Sequence, residues 1–408
     1  MDNWDDIYQK AKEKWETLEA SPIHIRIGTP TCGRAAGALD TLKEFREKLT
    51  KEGIEGQITE VGCMGLCFAE PLVIISKPEV GLPPICYRNV TYQEVKRLVE
   101  GFIMGDDPCL EFALGILDLT DDGAPYIPEM LRFETEKRLV LRNCGYIDPQ
   151  DIDHYIARGG YLSLKKAFGM PPEEIIHEVD KSGLRGRGGA GFPTGRKWDL
   201  CRSMRDGTRY MICNADEGDP GAFMDRVVLE SDPHSVIEGM IIAAYAIGAH
   251  EGFIYTRMEY PLVLERLKQA LTQAREYGLL GEDILGSGFA FDIEIIEGAG
   301  AFVCGEETAM IASIEGQRGM PRPRPPYPTE YGLHGEPTVV DNVKTFALVT
   351  RIIQQGGEWF SQIGTPNSTG TAVFALAGRV EQIGLVEVPM GTTLKEVIFD
   401  VGGGIPEG

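Results

Sequence analysis

The sequence predicts an α/β protein built from more than one domain, and three observations carry that expectation. The first hundred residues run in the order β-α-β-β-α behind a leading helix. The longer central part alternates short apolar strands with helices. At 408 residues with 43% hydrophobic content, the chain is also longer than one ordinary core requires.

Taken in order, Trp4–Glu19 has amphipathic helical spacing with many charges. A strand at His24–Ile27 leads into a Cys-containing turn at Thr29–Gly37 and a helix at Leu39–Thr50. Strands at Gln57–Val61 and Leu72–Ser76 and a helix from Tyr92 to Phe102 complete a small α/β domain over residues 1–105. Residues 106–132 read as a connector, because Asp121-Asp122-Gly123-Ala124-Pro125 and the preceding Gly105-Asp106-Asp107-Pro108 are turn sequences. A larger unit spans 133–384. Its first helix is expected at Pro149–Ala157, with Asp148 as N-cap and Pro149 at the first helical position. Helices at Leu162–Phe168, Pro172–Lys181 and Pro261–Tyr277 follow, with strands at Tyr210–Cys213, Gly252–Thr256 and Phe291–Glu297. Residues 385–408 read as the start of a further small domain that stops in the loop Gly402–Gly408, so the chain is expected to be incomplete.

The formal net charge of −22 argues against nucleic acid as a main partner, since phosphate binding needs clustered cations. It is compatible with docking on basic subunit surfaces, although an acidic solvated surface is the commoner reading. Asp2–Asp6 provides no basic signal-peptide start, and no apolar stretch is long enough to span a bilayer. A cytoplasmic protein without direct membrane insertion is therefore expected. In that compartment the nine cysteines read as metal ligands, reactive groups or buried apolar residues rather than disulfides.

Four clusters carry the chemistry. The first, Gly183–Trp198, holds a formal G-x-G-x-x-G at Gly186, Gly188 and Gly191, with cations at Arg185, Arg187, Arg196 and Lys197. A dinucleotide fingerprint follows a strand, whereas this loop follows the predicted helix Pro172–Lys181. Glycines let backbone N–H groups approach an anion, so the loop reads as a phosphate site, with a flexible surface loop as the alternative. The second cluster, Asn214–Arg226, places Asn214, Asp216 and Glu217 directly after an apolar strand. Such groups hydrogen-bond sugar or ribityl hydroxyls, hold a hard cation, or simply solvate a turn. The third runs from Gly298 to Ala309 with Gly305, Glu306 and Glu307, and continues through Glu315–Pro328 with Arg324 and Tyr327. Two acidic residues at a helix start also complement the helix dipole without any further role. The fourth is Pro337–Thr345, with Asp341 and Asn342.

In order and wording these four clusters resemble the flavin-binding subunit of respiratory complex I and its relatives, the diaphorase subunits of NAD-linked hydrogenases, formate dehydrogenases and electron-bifurcating enzymes. The resemblance covers about Phe133 to Val401. It implies a central FMN-binding α/β domain without Rossmann topology, followed by the start of a β-grasp-like domain. It also implies an NAD(H)-dependent oxidoreductase that passes hydride between NAD(H) and FMN and single electrons to iron–sulfur clusters. The expected partners are iron–sulfur subunits and a catalytic subunit such as a hydrogenase, a formate dehydrogenase or another reductase. By the same resemblance Gly186, Arg187, Gly188, Lys197, Asn214, Asp216 and Glu217 fall on FMN positions. Gly305, Glu306 and Glu307 line the flavin cavity, with Glu307 also near the nicotinamide and so the catalytic candidate. Asp341 and Asn342 complete the flavin contacts, Phe192 matches an adenine-stacking aromatic, and Arg324 and Tyr327 fall on dinucleotide positions. Leu200, Asp219 and Arg324 depart from residues that some relatives carry there.

Cys63-Met64-Gly65-Leu66-Cys67-Phe68-Ala69-Glu70-Pro71 is a C-x₃-C between strands, with Cys32 upstream. The layout resembles a thioredoxin-like [2Fe–2S] domain, which normally uses four thiolates. Here Ile27, Ala36 and Gly37 stand in the places nearest a fourth ligand, and Cys86 is the domain's other cysteine. A [2Fe–2S] centre with an unusual ligand set is the preferred reading, and a degenerate domain without a cluster the alternative. No [4Fe–4S] motif is present in the sequence. A non-catalytic scaffold subunit and a stand-alone flavin reductase are the rival functions.

Overall fold

Residues 24–116 build one mixed five-stranded sheet in the computed structural model, which describes residues 2–204 and 207–406. Glu407 and Gly408, the end of the expected terminal loop, lie outside the described residues. Helix α1 (Asp2–Glu19) precedes β1 (His24–Gly28), α2 (Thr31–Ala35), α3 (Ala38–Glu52) and β2 (Gln57–Val61). Then come β3 (Val73–Ser76), β4 (Ile85–Tyr87), α4 (Tyr92–Leu98) and β5 (Ala113–Ile116). The strand order is β2-β1-β3-β4-β5, with β1 parallel to β2 and antiparallel to β3. That is the thioredoxin-like arrangement.

Several local expectations need correction. The Thr29–Gly37 turn contains a short helix, α2, which lifts Cys32 off the end of β1. Strands β4 and β5 extend the expected β-α-β-β-α order; the three residues of β4, all buried, are too few to display a period. Strand β5 lies inside the segment read as a connector. The α-helix from Tyr92 stops at Leu98 and widens into a looser turn at Val99–Ile103.

The central unit has four parallel strands, β6 (Tyr210–Ala215), β7 (Glu251–Arg257), β8 (Asp292–Gly298) and β9 (Thr338–Asn342), in the order β8-β7-β6-β9. Chain order therefore reverses between β6 and β9, where an open α/β sheet leaves a crevice beyond its strand carboxyl ends. Before this sheet come α5 (Ile152–Ala157), α6 (Leu162–Ala167), α7 (Pro172–Lys181) and α8 (Thr194–Arg202). The first of these is capped by Asp151, which accepts the Asp153 N–H, while Asp148 turns the preceding loop by accepting the Gln150 N–H. Its start is thus three residues later than the Pro149 position implies.

Helices α9 (Met224–Ser231) and α10 (Pro233–Ile247) link β6 to β7, α11 (Pro261–Glu276) links β7 to β8, and α12 (Glu307–Ile314) stands between β8 and β9. Helix α13 (Val343–Gln355) continues directly from β9. Helices α10 and α13 form the core: at Gly239 an added Cβ would come within 2.1 Å of Phe346 O, so only glycine allows the two backbones this close. The hairpin β10 (Thr371–Leu376) and β11 (Gly384–Pro389) pairs across position 384. It is fixed to the central unit by the buried Glu387, whose carboxylate accepts the N–H groups of Leu139, Val140 and Leu141 at 2.9–3.0 Å.

The two large units meet at the cysteine loops. Thr31 N–H and hydroxyl both donate to Glu230, Cys63 N–H donates to Ser231 Oγ at 3.0 Å, and Leu385 N–H donates to Gly65 O. Among the described residues, no helix is long and apolar enough to cross a membrane.

Candidate functional site

All four sequence clusters converge at the carboxyl edge of the parallel sheet. Asn342, the last residue of β9, is the Cα partner of Asn214 on β6. Asn214 Nδ2 donates to Gly305 O at 2.8 Å, bringing in the third cluster. The glycine loop closes from the other side: a Cβ added at Gly188 would lie 3.3 Å from Asn342 Cβ. The loop itself is pinched at its base, where Gly186 N–H donates to Phe192 O and Thr194 N–H to Leu184 O, each at 2.9 Å. Gly189 has φ +115° and an added Cβ there would meet only open space, so the loop tip presents bare backbone. That is the surface an anion approaches.

The side chains divide into those held in place and those left free. Asn342 caps α13 by accepting the Lys344 N–H at 3.0 Å and donates Nδ2 to Asp225 at 2.7 Å. Lys344 also pairs with Asp225. Asp341 is buried and takes Lys197 Nζ and Trp198 Nε1 on its two oxygens, both at 2.8 Å. Lys197 additionally donates to Val340 O at 2.7 Å. Arg187 spends its guanidinium on the carbonyls of Thr371, Thr369 and Arg185, and burial pulls it down to about 10.

Asp216 pairs with Arg257 at 2.8 Å; burial raises its carboxyl and the guanidinium opposes that rise. Glu217 accepts the N–H groups of Met224 and Arg226 at the start of α9, and burial with the neighbouring Asp225 keeps its carboxyl raised. Glu306 caps α12 through the Thr308 and Ala309 N–H groups at 3.0 Å. Next to it, Glu307 meets Arg324 at 2.6 Å. Phe192 and Tyr327 are largely exposed, and Phe302 is 77% exposed beside Gly218. Exposed aromatic faces at a cleft of this kind are suited to stacking on planar rings.

Sequence reasoning left out Asp225, Lys344 and Arg257. Their signal was present: Asp225 lies in the second cluster, Lys344 lies two residues beyond Asn342, and Arg257 is the cation ending strand β7.

The expected metal ligands also come together. Cys32 Sγ and Cys63 Sγ are 3.6 Å apart, Cys63 Sγ and Cys67 Sγ are 3.6 Å apart, and all three sulfurs lie within 4.8 Å. Hydrogen bonds from Cys32 and Cys63 bring Cys67 down to about 5, so the trio favours a thiolate, the form that binds metal. Three converging thiols with a stabilised anion fit an iron–sulfur centre. Cys86 stands outside the trio, packed with Leu66, Leu72 and Ile74 in an apolar cluster. Helix α9 joins the two sites. Its first turn meets Glu217 through the Met224 N–H and Asn342 through Asp225, and its last residues, Glu230 and Ser231, hold the cysteine loops. Eight residues rise roughly 12 Å.

Residues 179–351 match the Nuo51 FMN-binding domain family, Complex1_51K. The chain is 60% identical over 277 residues to the NADP-reducing hydrogenase subunit HndC of Solidesulfovibrio fructosivorans, covering 67% of this chain and 56% of that one. It is 51% identical over 280 residues to an NADH-quinone oxidoreductase subunit of Aquifex aeolicus, covering 69% and 65%. Over 93% of its length it also follows 61% of a chain in the air-oxidized NAD+-reducing [NiFe]-hydrogenase crystal structure, with TM-score 0.57 and 30% identity. The chain thus spans between about half and two thirds of the length of these relatives.

Proposed function

We propose that this chain, whose residues 179–351 match the Nuo51 FMN-binding domain family, binds FMN at the switch point between β6 and β9 and exchanges hydride there with NAD(H). Electrons then leave singly toward iron–sulfur centres of a larger assembly. The observation that carries the reading is the meeting of Gly188, Asn214, Gly305 and Asn342, from four separate sequence segments, at one crevice. Bound FMN supplies the two-electron to one-electron conversion, which no side chain present can perform.

The chain's own residues position and tune. The bare backbone of Gly186–Gly191 holds the phosphate, and Lys197, fixed by Asp341, adds its positive charge. Asn214, Asp216 and Glu217 offer polar atoms to the ribityl hydroxyls. Glu306 and Glu307 border the flavin ring, with Glu307 also near the nicotinamide. Phe192 stacks on the adenine, while Arg324 and Tyr327 hold the rest of the dinucleotide. The thioredoxin-like unit, residues 1–116, docks through Thr31 and Cys63 and carries the first acceptor at Cys32, Cys63 and Cys67. The unit from 133 carries the flavin, with 117–132 between them, and the hairpin of β10 and β11 begins a β-grasp-like region. Iron–sulfur subunits and a hydrogenase, formate dehydrogenase or other reductase subunit are the proposed partners, in the cytoplasm. Relatives named as hydrogenase and quinone-oxidoreductase subunits support that setting.

Adding FMN to the purified chain and removing the excess tests the assignment. A yellow protein with quenched flavin fluorescence is expected, and a colourless one contradicts it.

A further inference from the structure

The three thiols leave one ligand position of a two-iron, two-sulfide centre unfilled, because each iron needs two protein ligands besides the bridging sulfides. We propose that the carboxylate of Glu70 is the fourth ligand. This rests on reading Cys32, Cys63 and Cys67 as a [2Fe–2S] site.

Position comes first. Glu70 follows the short turn Cys67–Ala69, and its Oε1 lies 3.6 Å from Cys32 Sγ. Two ligands of one tetrahedral metal, with bonds of about 2.3 Å to sulfur and about 2.0 Å to oxygen, stand roughly 3.5 Å apart. The observed separation matches that edge. The carboxylate is also given room: a Cβ added at Gly28 or at Gly33 would lie 3.2 Å from Glu70 Oε2. Glycine at the end of β1 and glycine inside α2 together form the cradle in which it sits beside Cys32.

Charge comes second. Glu70 is buried, at 7% exposure, and its carboxylate's hydrogen bonds among the described residues are from Cys32 and from the Leu72 N–H at 2.9 Å. No Lys, Arg or His among the described residues pairs with it. A buried carboxylate without a cation is costly, and here it stands beside three thiols that must themselves become anions to bind metal. A ferric centre supplies positive charge to all four groups at once.

Glu70 stands outside the set of three sulfurs that lie within 4.8 Å of one another and touches it at Cys32, so in a two-iron centre it would share an iron with Cys32 and leave the other to Cys63 and Cys67. Cys86, the other candidate, is on β4 in the apolar cluster.

The test uses the full chain reconstituted anaerobically with ⁵⁷Fe and sulfide, then examined by Mössbauer spectroscopy when oxidised and by EPR after dithionite reduction. Wild type is expected to hold about two irons, to show two inequivalent ferric doublets, and to give an EPR signal on one-electron reduction. Glu70→Gln is expected to lose half or more of its iron or to shift its g values, and Cys86→Ser to match wild type. One symmetric doublet in wild type, an unchanged spectrum in Glu70→Gln, or a changed one in Cys86→Ser would overturn the Glu70 ligand while leaving the cluster in place. A wild-type chain that retains no iron overturns the cluster as well, and neither result bears on whether the chain binds FMN.

Discussion

Arg324 Nη1 lies 2.6 Å from Glu307 Oε1, which joins the proposed dinucleotide-binding cation to the carboxylate expected near the nicotinamide. Both side chains are partly exposed, so the pair contributes little to stability and opens readily. Arg324→Ala should therefore leave the melting temperature and FMN affinity unchanged. It should raise the KM for NADH about tenfold with kcat nearly constant, the size of one lost charged hydrogen bond. Loss of FMN with an unchanged KM would place Arg324 on the flavin instead.

Asp341 is the opposite case, a buried carboxylate holding Lys197 and Trp198 at 2.8 Å each. Asp341→Ala takes the carboxylate from the Lys197 ammonium, which keeps the Val340 carbonyl, and leaves the Trp198 indole N–H unpaired, at a cost of about 3 kcal/mol in urea unfolding. Asp341→Asn should cost less. Equal stability in all three proteins would show that the network carries no weight.

Gly188 packs toward an Asn342 that cannot retreat, since Asp225 and the Lys344 N–H hold it. Gly188→Ala must therefore displace the loop, and FMN binding should weaken by about 1 to 2 kcal/mol, roughly five- to thirtyfold. The check is a fluorescence titration with FMN, and a wild-type affinity would contradict the loop's assigned place.

His234 is buried between Tyr161 and Gln273, and burial lowers it from 6.5 to about 4. In the unfolded chain it takes up a proton near pH 6.5, but in the folded chain only near pH 4, so its contribution is complete above 6.5 and is lost as pH falls to 4. Across that window the stability advantage of wild type over His234→Gln should shrink by about 3 kcal/mol. A difference independent of pH would show that His234 does not titrate in this way.

Much of this fold was legible because particular elements follow simple rules. Pro172–Lys181 matches its predicted bounds: a proline start, two acidic residues in the first turn and an apolar stripe all agree. Gln57–Val61 matches as well. Helix Pro233–Ile247 escaped detection because it is buried nearly all round and has no polar face to set a period. Strand Thr338–Asn342 was hidden for a similar reason, with all five residues buried and polar ones at its end. The site was legible as motifs, since glycines and carboxylates announce themselves by spacing. Which charges are already spent was not. That Arg187 is occupied by three carbonyls, and that Glu70 faces Cys32, depends on contacts between segments that no local pattern encodes.

Hydride transfer at the β6–β9 crevice is the step on which the proposed function depends. Anaerobic titration of the FMN-loaded chain with NADH tests it most directly. The flavin absorption should bleach in proportion to NADH added and return when a one-electron acceptor such as ferricyanide is supplied. Bound flavin that stays oxidised in excess NADH and NADPH would contradict the central claim.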